Sequence, residues 1–203
     1  MACGVTGILV AVLLLTNMNA WSQESDSPVE VIQRTIQRVQ EILKNESDSQ
    51  QAKEEKLREI ILGVVDFVEM SKDVVLHRWR GLIPAERDTL VREFRALVEA
   101  MFLKRIDFVR GAEFQDFHEW KRGARRSVSV EVRKDLMNAL IEIKMHEVNG
   151  QWKIYNVSAG FFSLTGMFFS RFDRILSAGS DPGSFEKLID AIREKTNEMQ
   201  NRK

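Results

Sequence analysis

Apolar residues recur at helical spacing over SPVEVIQRTIQRVQEILKN, where Ile32, Ile36, Val39 and Leu43 fall on one stripe. Ser27 stands where an N-cap is wanted, Pro28 at the first helical position and Glu30 at the capping-box position, so three separate signals fix the start of this helix. A polar connection, ESDSQQAKEEK, runs into a second helical pattern whose Leu57, Ile60, Ile61, Val64 and Val65 face inward. The pattern continues through VDFVEMSKDVVLHRW with Phe67, Met70, Val74 and Trp79. GLIP breaks it, because the residue before a proline is pushed out of helical geometry. Pro84 then opens a long helix with Leu90, Phe94, Leu97, Val98, Met101 and Phe102 on one wide apolar face. The first half of the chain is therefore helical.

Around Arg125 the period changes to two: Val128, Val130 and Val132 alternate with Ser129 and Glu131. Asn149-Gly150 predicts a type I′ hairpin turn, since both residues tolerate positive φ. Folding about it sets Met145 opposite Ile154, Glu147 opposite Trp152 and Ile143 opposite Asn156. Ile141, Ile143, Met145, Trp152 and Ile154 then share a dry face, and Lys144, His146, Lys153 and Tyr155 the outer one. Beyond the hairpin, Phe161, Leu164, Phe168, Phe172 and Ile175 form one helical stripe, and Phe162, Phe169 and Leu176 a second beside it, so that segment is buried on more than one side. SDPGSFEKLIDAIREK supplies a break and a last amphipathic helix. The pattern defines an α+β protein whose helical N-terminal half packs on a twisted antiparallel sheet.

The N-terminus changes the picture. An apolar run from Val5 to Leu15 is too short to span a bilayer comfortably and turns abruptly polar, which marks residues 1–22 as an export signal with cleavage near Ala20 to Ser22. The alternative is a retained anchor. Residues 23–203 then form a single domain. Cys3, the one cysteine, lies within that signal, leaving no thiol or disulfide chemistry afterwards. Lys and Arg match Asp and Glu at 30 each, so no net field draws in nucleic acid or an anionic membrane. The basic run KRGARR, Lys121 to Arg126, reads as a solvated loop.

Candidate chemistry is sparse. His77, His118 and His146 are isolated and lack metal-ligand spacing, and there is no nucleophile elbow around Ser163, no dinucleotide fingerprint and no phosphate loop. Asp66 and Glu69, one helical turn apart, read as a solvated ion-pair surface with Lys72 and Arg78. No catalytic residue, metal or cofactor is expected, and the chain is not expected to be an enzyme.

DFVEMSKDVVLHRW followed by IPAERDTLVREFRALVEAMF resembles the MlaC-type family, also called the toluene-tolerance auxiliary family, at Asp66, Phe67, Met70, Val74, Trp79, Pro84, Arg87, Phe94, Leu97 and Phe102. Trp152, Tyr155, Ser163, Leu164 and Phe172 are similar to its second signature. Asn156, Gly160 and Phe161 replace the Asp, Glu and Gly usual there, and Met167, Phe168 and Phe169 stand where Asn, Tyr and Arg are common. The resemblance implies a soluble periplasmic carrier with an apolar cavity between helices and sheet. Such a carrier moves phospholipid, or a related lipid such as a hopanoid, between an inner-membrane ABC transporter complex with its MCE protein and an outer-membrane lipoprotein complex, supporting outer-membrane lipid asymmetry. The lipid-lining residues it implies are Phe67, Met70, Val74, Trp79, Phe94, Val98, Met101 and Phe102 from the helical half, Ile141, Ile143, Met145, Trp152 and Ile154 from the sheet, and Phe161, Phe162, Phe168 and Phe172 beyond it. Two other readings stay open: a small cavity enzyme of the cone-shaped α+β type acting on an apolar substrate, and a ligand-free scaffold subunit.

Overall fold

The capping box forms as its residues dictate. The Glu30 N–H donates to Ser27 Oγ at 3.2 Å and the Ser27 N–H to the Glu30 carboxylate at 2.7 Å, starting α1 (Pro28–Lys44). The computed structural model describes residues 26–177 and 183–201. The expected export signal at 1–22 and Cys3 lie outside the described residues, and the break before the last helix is described only from Gly183.

Ser49 caps α2 (Gln50–Val64), which buries Leu57 and Ile61. The helical period suggests that this pattern runs on, yet the chain leaves helical geometry at Val65. There Val65 bridges Ile154, and the Asp66 N–H donates to the Ile154 carbonyl at 2.8 Å. Asp66 then caps a new helix, α3 (Phe67–Val75), its Oδ1 accepting from the Glu69 N–H at 2.9 Å. A 3₁₀ turn over Leu76–Gly81 carries Trp79. Pro84 opens α4 (Pro84–Arg105), where the Glu86 carboxylate accepts from the Ile83 N–H at 2.9 Å.

Five strands follow in an antiparallel meander: β1 (Glu113–Arg122), β2 (Arg125–Lys134), β3 (Met137–Val148), β4 (Gln151–Ala159) and β5 (Phe162–Ser163). Asn149 and Gly150 take φ of 51° and 77°, as the type I′ turn requires. The expected pairs Met145–Ile154 and Glu147–Trp152 form, but Ile143 lies opposite Val157. Tyr155 is the extra residue of a bulge, which shifts Asn156 to face Lys144. β1 is a mostly exposed edge strand with its own irregularity between Gln115 and His118, where Asp116 has φ 52°.

The stripe drawn through Phe161 and Phe162 is not helical. Gly160, at φ 56°, turns the chain, Phe162 enters β5, and α5 (Leu164–Ser177) starts only after Ser163, whose Oγ accepts from the Gly166 N–H at 3.2 Å. The last helix, α6 (Ser184–Asn201), buries Leu188, Ile189 and Ile192.

Two principal apolar clusters result. One joins α3, α4, α5 and α6 around Met70, Val74, Leu90, Phe94, Leu97, Phe172 and Leu188. The other lies between α1 and one sheet face, with Ile32, Val128, Val130, Ile143, Met145 and Ile154 at its centre. Val65 packs against both. The opposite sheet face is also covered, since Ser127, Ser129, Tyr155 and Asn156 are all buried. This differs from a sheet with one solvated side, and the reason is that the ion-pairing ends of α3 and the start of α5 close over it.

Candidate functional site

Most of the residues singled out in the helical half converge. Phe67, Met70, Val74, Phe94, Val98, Phe168 and Phe172 are buried in the helical cluster, with Trp79, Met101 and Phe102 packed against it. At its centre Phe94 meets Phe168 edge-on at 5.2 Å and Phe172 at 5.9 Å, while Phe168 and Phe172 lie 5.4 Å apart. Ile141, Ile143, Met145, Trp152 and Ile154 belong instead to the cluster under α1. Phe161 and Phe162 join neither: both are exposed, at the turn from β4 into β5.

A groove of about 800 Å³ opens between the start of α3, the 3₁₀ turn and α4. Val68, Trp79, Val91 and Ala96 give it an apolar lining, and Arg87, Arg92 and Arg95 with Asp88 and Glu99 a rim of both signs. The volume lies within the range of ligand pockets, about 300–1,000 Å³. Arg95 pairs with Glu99 at 2.6 Å and Arg92 with Glu93 at 3.1 Å. The Arg87 guanidinium lies 5.6 Å over the Trp79 ring and donates to the carbonyls of Trp79 and Arg80. Among the described residues, Arg87 has no carboxylate partner. Val91, Arg92 and Arg95 are groove residues that the helical period could not separate from ordinary flanks of α4.

Ser71, fully buried on α3, carries a hydroxyl with no hydrogen-bond partner among the described residues. An orphan of this kind costs about 1–3 kcal/mol.

His146, expected on the outer sheet face, is half-enclosed instead: its Nε2 lies 2.9 Å from Asp66 Oδ2 and its ring meets Tyr155 edge-on at 5.5 Å. Glu69 pairs with Lys72 as its spacing suggests, at 3.0 Å, but also with Arg125 from β2. Arg78 pairs with Asp173 rather than with this group. These contacts clasp α3 to the sheet. In the same layer burial pushes the Asp73 carboxyl up from its ordinary range, opposed by Arg125, reinforced by Glu69 and opposed by Lys144 and His146. With its folded pKa above the unfolded one, Asp73 favours the fold below the ordinary aspartate range, and that contribution is lost as pH rises through the raised value. Asp73→Asn is expected to be more stable than the parent at neutral pH and equal to it at acid pH, as read from urea midpoints at both.

The altered second signature has a structural task. The Asn156 amide donates to Ser163 Oγ at 2.9 Å, its oxygen accepts from the Thr165 N–H at 3.3 Å, and the side chain is buried. It thereby ties β4 to the first turn of α5. Asn156→Ala is expected to lower unfolding free energy by about 1–3 kcal/mol, measured by urea denaturation.

This architecture, a helical half on a five-stranded antiparallel meander with an aromatic helical core, defines an α+β protein. The family model described as MlaC protein matches residues 33–194, and the chain belongs to that family. The structure is similar to that of a phospholipid-binding protein from Ralstonia solanacearum, solved in complex with a phospholipid. The TM-score is 0.71 at 14% identity, covering 84% of this chain and 97% of that one. No curated protein sequence matches the chain significantly. No helix among the described residues is long and apolar enough to cross a membrane.

Proposed function

We propose that this protein binds and carries a phospholipid, or a related lipid such as a hopanoid, and is not an enzyme. The observation that carries the reading is the groove beside Trp79, apolar within and with Arg87, which has no carboxylate partner among the described residues, at its rim, backed by the Phe94–Phe168–Phe172 cluster in a chain of the MlaC family. The similar fold of a protein solved with phospholipid supports it. Acyl chains would part the helical cluster and the phosphate would face Arg87.

The energetics suit a shuttle. Each methylene taken from water is worth about 0.8 kcal/mol, but lipid arrives from a bilayer, so the helical cluster need only match hydrocarbon. Loading and unloading then turn on small biases. In this reading residues 1–22 direct export and are removed, and 23–203 form a single periplasmic carrier domain. It would pass lipid between an inner-membrane ABC transporter with its MCE protein and an outer-membrane lipoprotein complex.

The test is native mass spectrometry and lipid extraction on protein purified without detergent, with uptake from phospholipid vesicles as a second measurement. A stoichiometric lipid is expected, and Val91→Glu, which sets a carboxylate on the groove lining, should deplete it while leaving the circular dichroism spectrum unchanged. Lipid-free protein that takes up none from vesicles would overturn the proposal.

A further inference from the structure

The KRGARR run is not an isolated solvated loop. Gly123, at φ 65°, turns β1 into β2, and this tip lies beside the Asn149–Gly150 turn of β3 and β4. Between the two turns runs a groove of about 520 Å³ that includes Lys121, Arg125, Arg126, His146 and Trp152. In a chain of zero net charge, residues 119–126 and 144–153 hold six Lys and Arg against two Glu, a local net of +4. Glu69 pairs with Arg125, and Glu119 with Arg126 at 3.1 Å. Lys121 and Arg122 project from the tip, exposed and without a carboxylate partner among the described residues. Trp120 next to them is 48% exposed on the edge strand.

We infer that this end of the sheet is a docking surface for an anionic lipid bilayer. Half-exposed indole rings settle at the headgroup level of a membrane, and each Lys or Arg near an anionic surface contributes about 1 kcal/mol. Charge complementarity selects this occupant. An acidic protein is the competing partner. Lys121 is of a type depleted at protein interfaces and Arg122 of a type enriched there, so the bilayer is favoured by the pairing of two exposed cations, without carboxylate partners among the described residues, with the half-exposed Trp120 indole. Neutral net charge keeps the attachment local and reversible, so the tips orient the molecule without trapping it. The inference rests on the carrier reading only for its purpose, and its test does not require bound lipid.

Flotation with vesicles of phosphatidylcholine, alone or mixed with phosphatidylglycerol, reads the binding. The protein is expected to bind the mixed vesicles, to release with added salt, and to show a blue shift in fluorescence that Trp120→Phe removes. Lys121→Ala with Arg122→Ala should weaken binding about thirtyfold, the equivalent of about 1 kcal/mol per cation. Lys104→Ala with Arg105→Ala, exposed at the far end of α4, should leave it unchanged. Equal binding to neutral vesicles, no binding to either, or an equal loss in the control pair would overturn the inference. So would stronger competition from poly-aspartate than from anionic lipid, which would assign the surface to an acidic protein. Lipid co-purifying from a protein that ignores vesicles would sink this inference alone. Vesicle binding by a lipid-free protein that takes up none would sink the carrier reading alone.

Discussion

Phe94→Ala is expected to lower the free energy of unfolding by about 3–5 kcal/mol. Phe94 has no exposed surface, and its ring is the one against which both Phe168 and Phe172 stand edge-on. Truncation removes the transfer free energy of the ring and leaves a void that four helices cannot all close at once. Domains of this kind are stable by only about 5–15 kcal/mol, so the loss would be visible as a large drop in the urea midpoint of lipid-free protein. Added lipid should restore part of it, because a guest that binds only the folded state stabilises by mass action. A loss below about 1 kcal/mol would show that the three rings do not pack together in solution.

Ile143→Asp is expected to be comparably damaging, at about 3–5 kcal/mol. Ile143 lies between Val128 and Val157 in the ladder, in the apolar cluster beneath α1, so the new carboxylate would have no partner there. Lys153→Glu, which removes one exposed hydrogen bond to the Gly63 carbonyl, should cost about 1 kcal/mol. Urea denaturation of the two variants side by side checks the assignment of sheet faces. Equal effects would mean that α1 does not close over this face. Since Ile143 supports the sheet rather than the helical groove, the loss of fold should accompany any loss of bound lipid in this variant.

The elements legible in the sequence were those specified by neighbours in the chain. Ser27, Pro28 and Glu30 start α1, Asn149-Gly150 makes its turn, and Pro84 opens α4, each through contacts only a few residues away. The features that escaped depend on distant partners. Nothing local announces that Val65 will leave a helix to bridge Ile154, or that Asp66 will meet His146. The bulge at Tyr155 preserves alternation on either side of itself, so the pattern reads as an unbroken strand while the register moves. β1 was missed because its charged, exposed residues carry no period-two apolar signal. The phenylalanines at 161 and 162 do fit a helical period, and the conformation at Gly160 together with the Ser163 cap overrides it. For the candidate site, the apolar positions were readable as a set, but their division between two clusters needed the course of α1 over the sheet.

The irregular edge of β1 has a consequence for life at high concentration. A straight outer strand offers its unpaired amides and carbonyls as a template on which another chain can add, and sheets extended that way grow into aggregates. Here the bulge at Asp116 interrupts that row, and Lys121 and Arg122 place like charges along the rest. On the opposite margin β5 covers only Ser158 and Ala159 of β4, and the rest of that strand is broken by the bulge at Tyr155 and occupied at Ile154 by Val65. Neither margin presents a long, regular strand to a second copy, so the sheet resists polymerising.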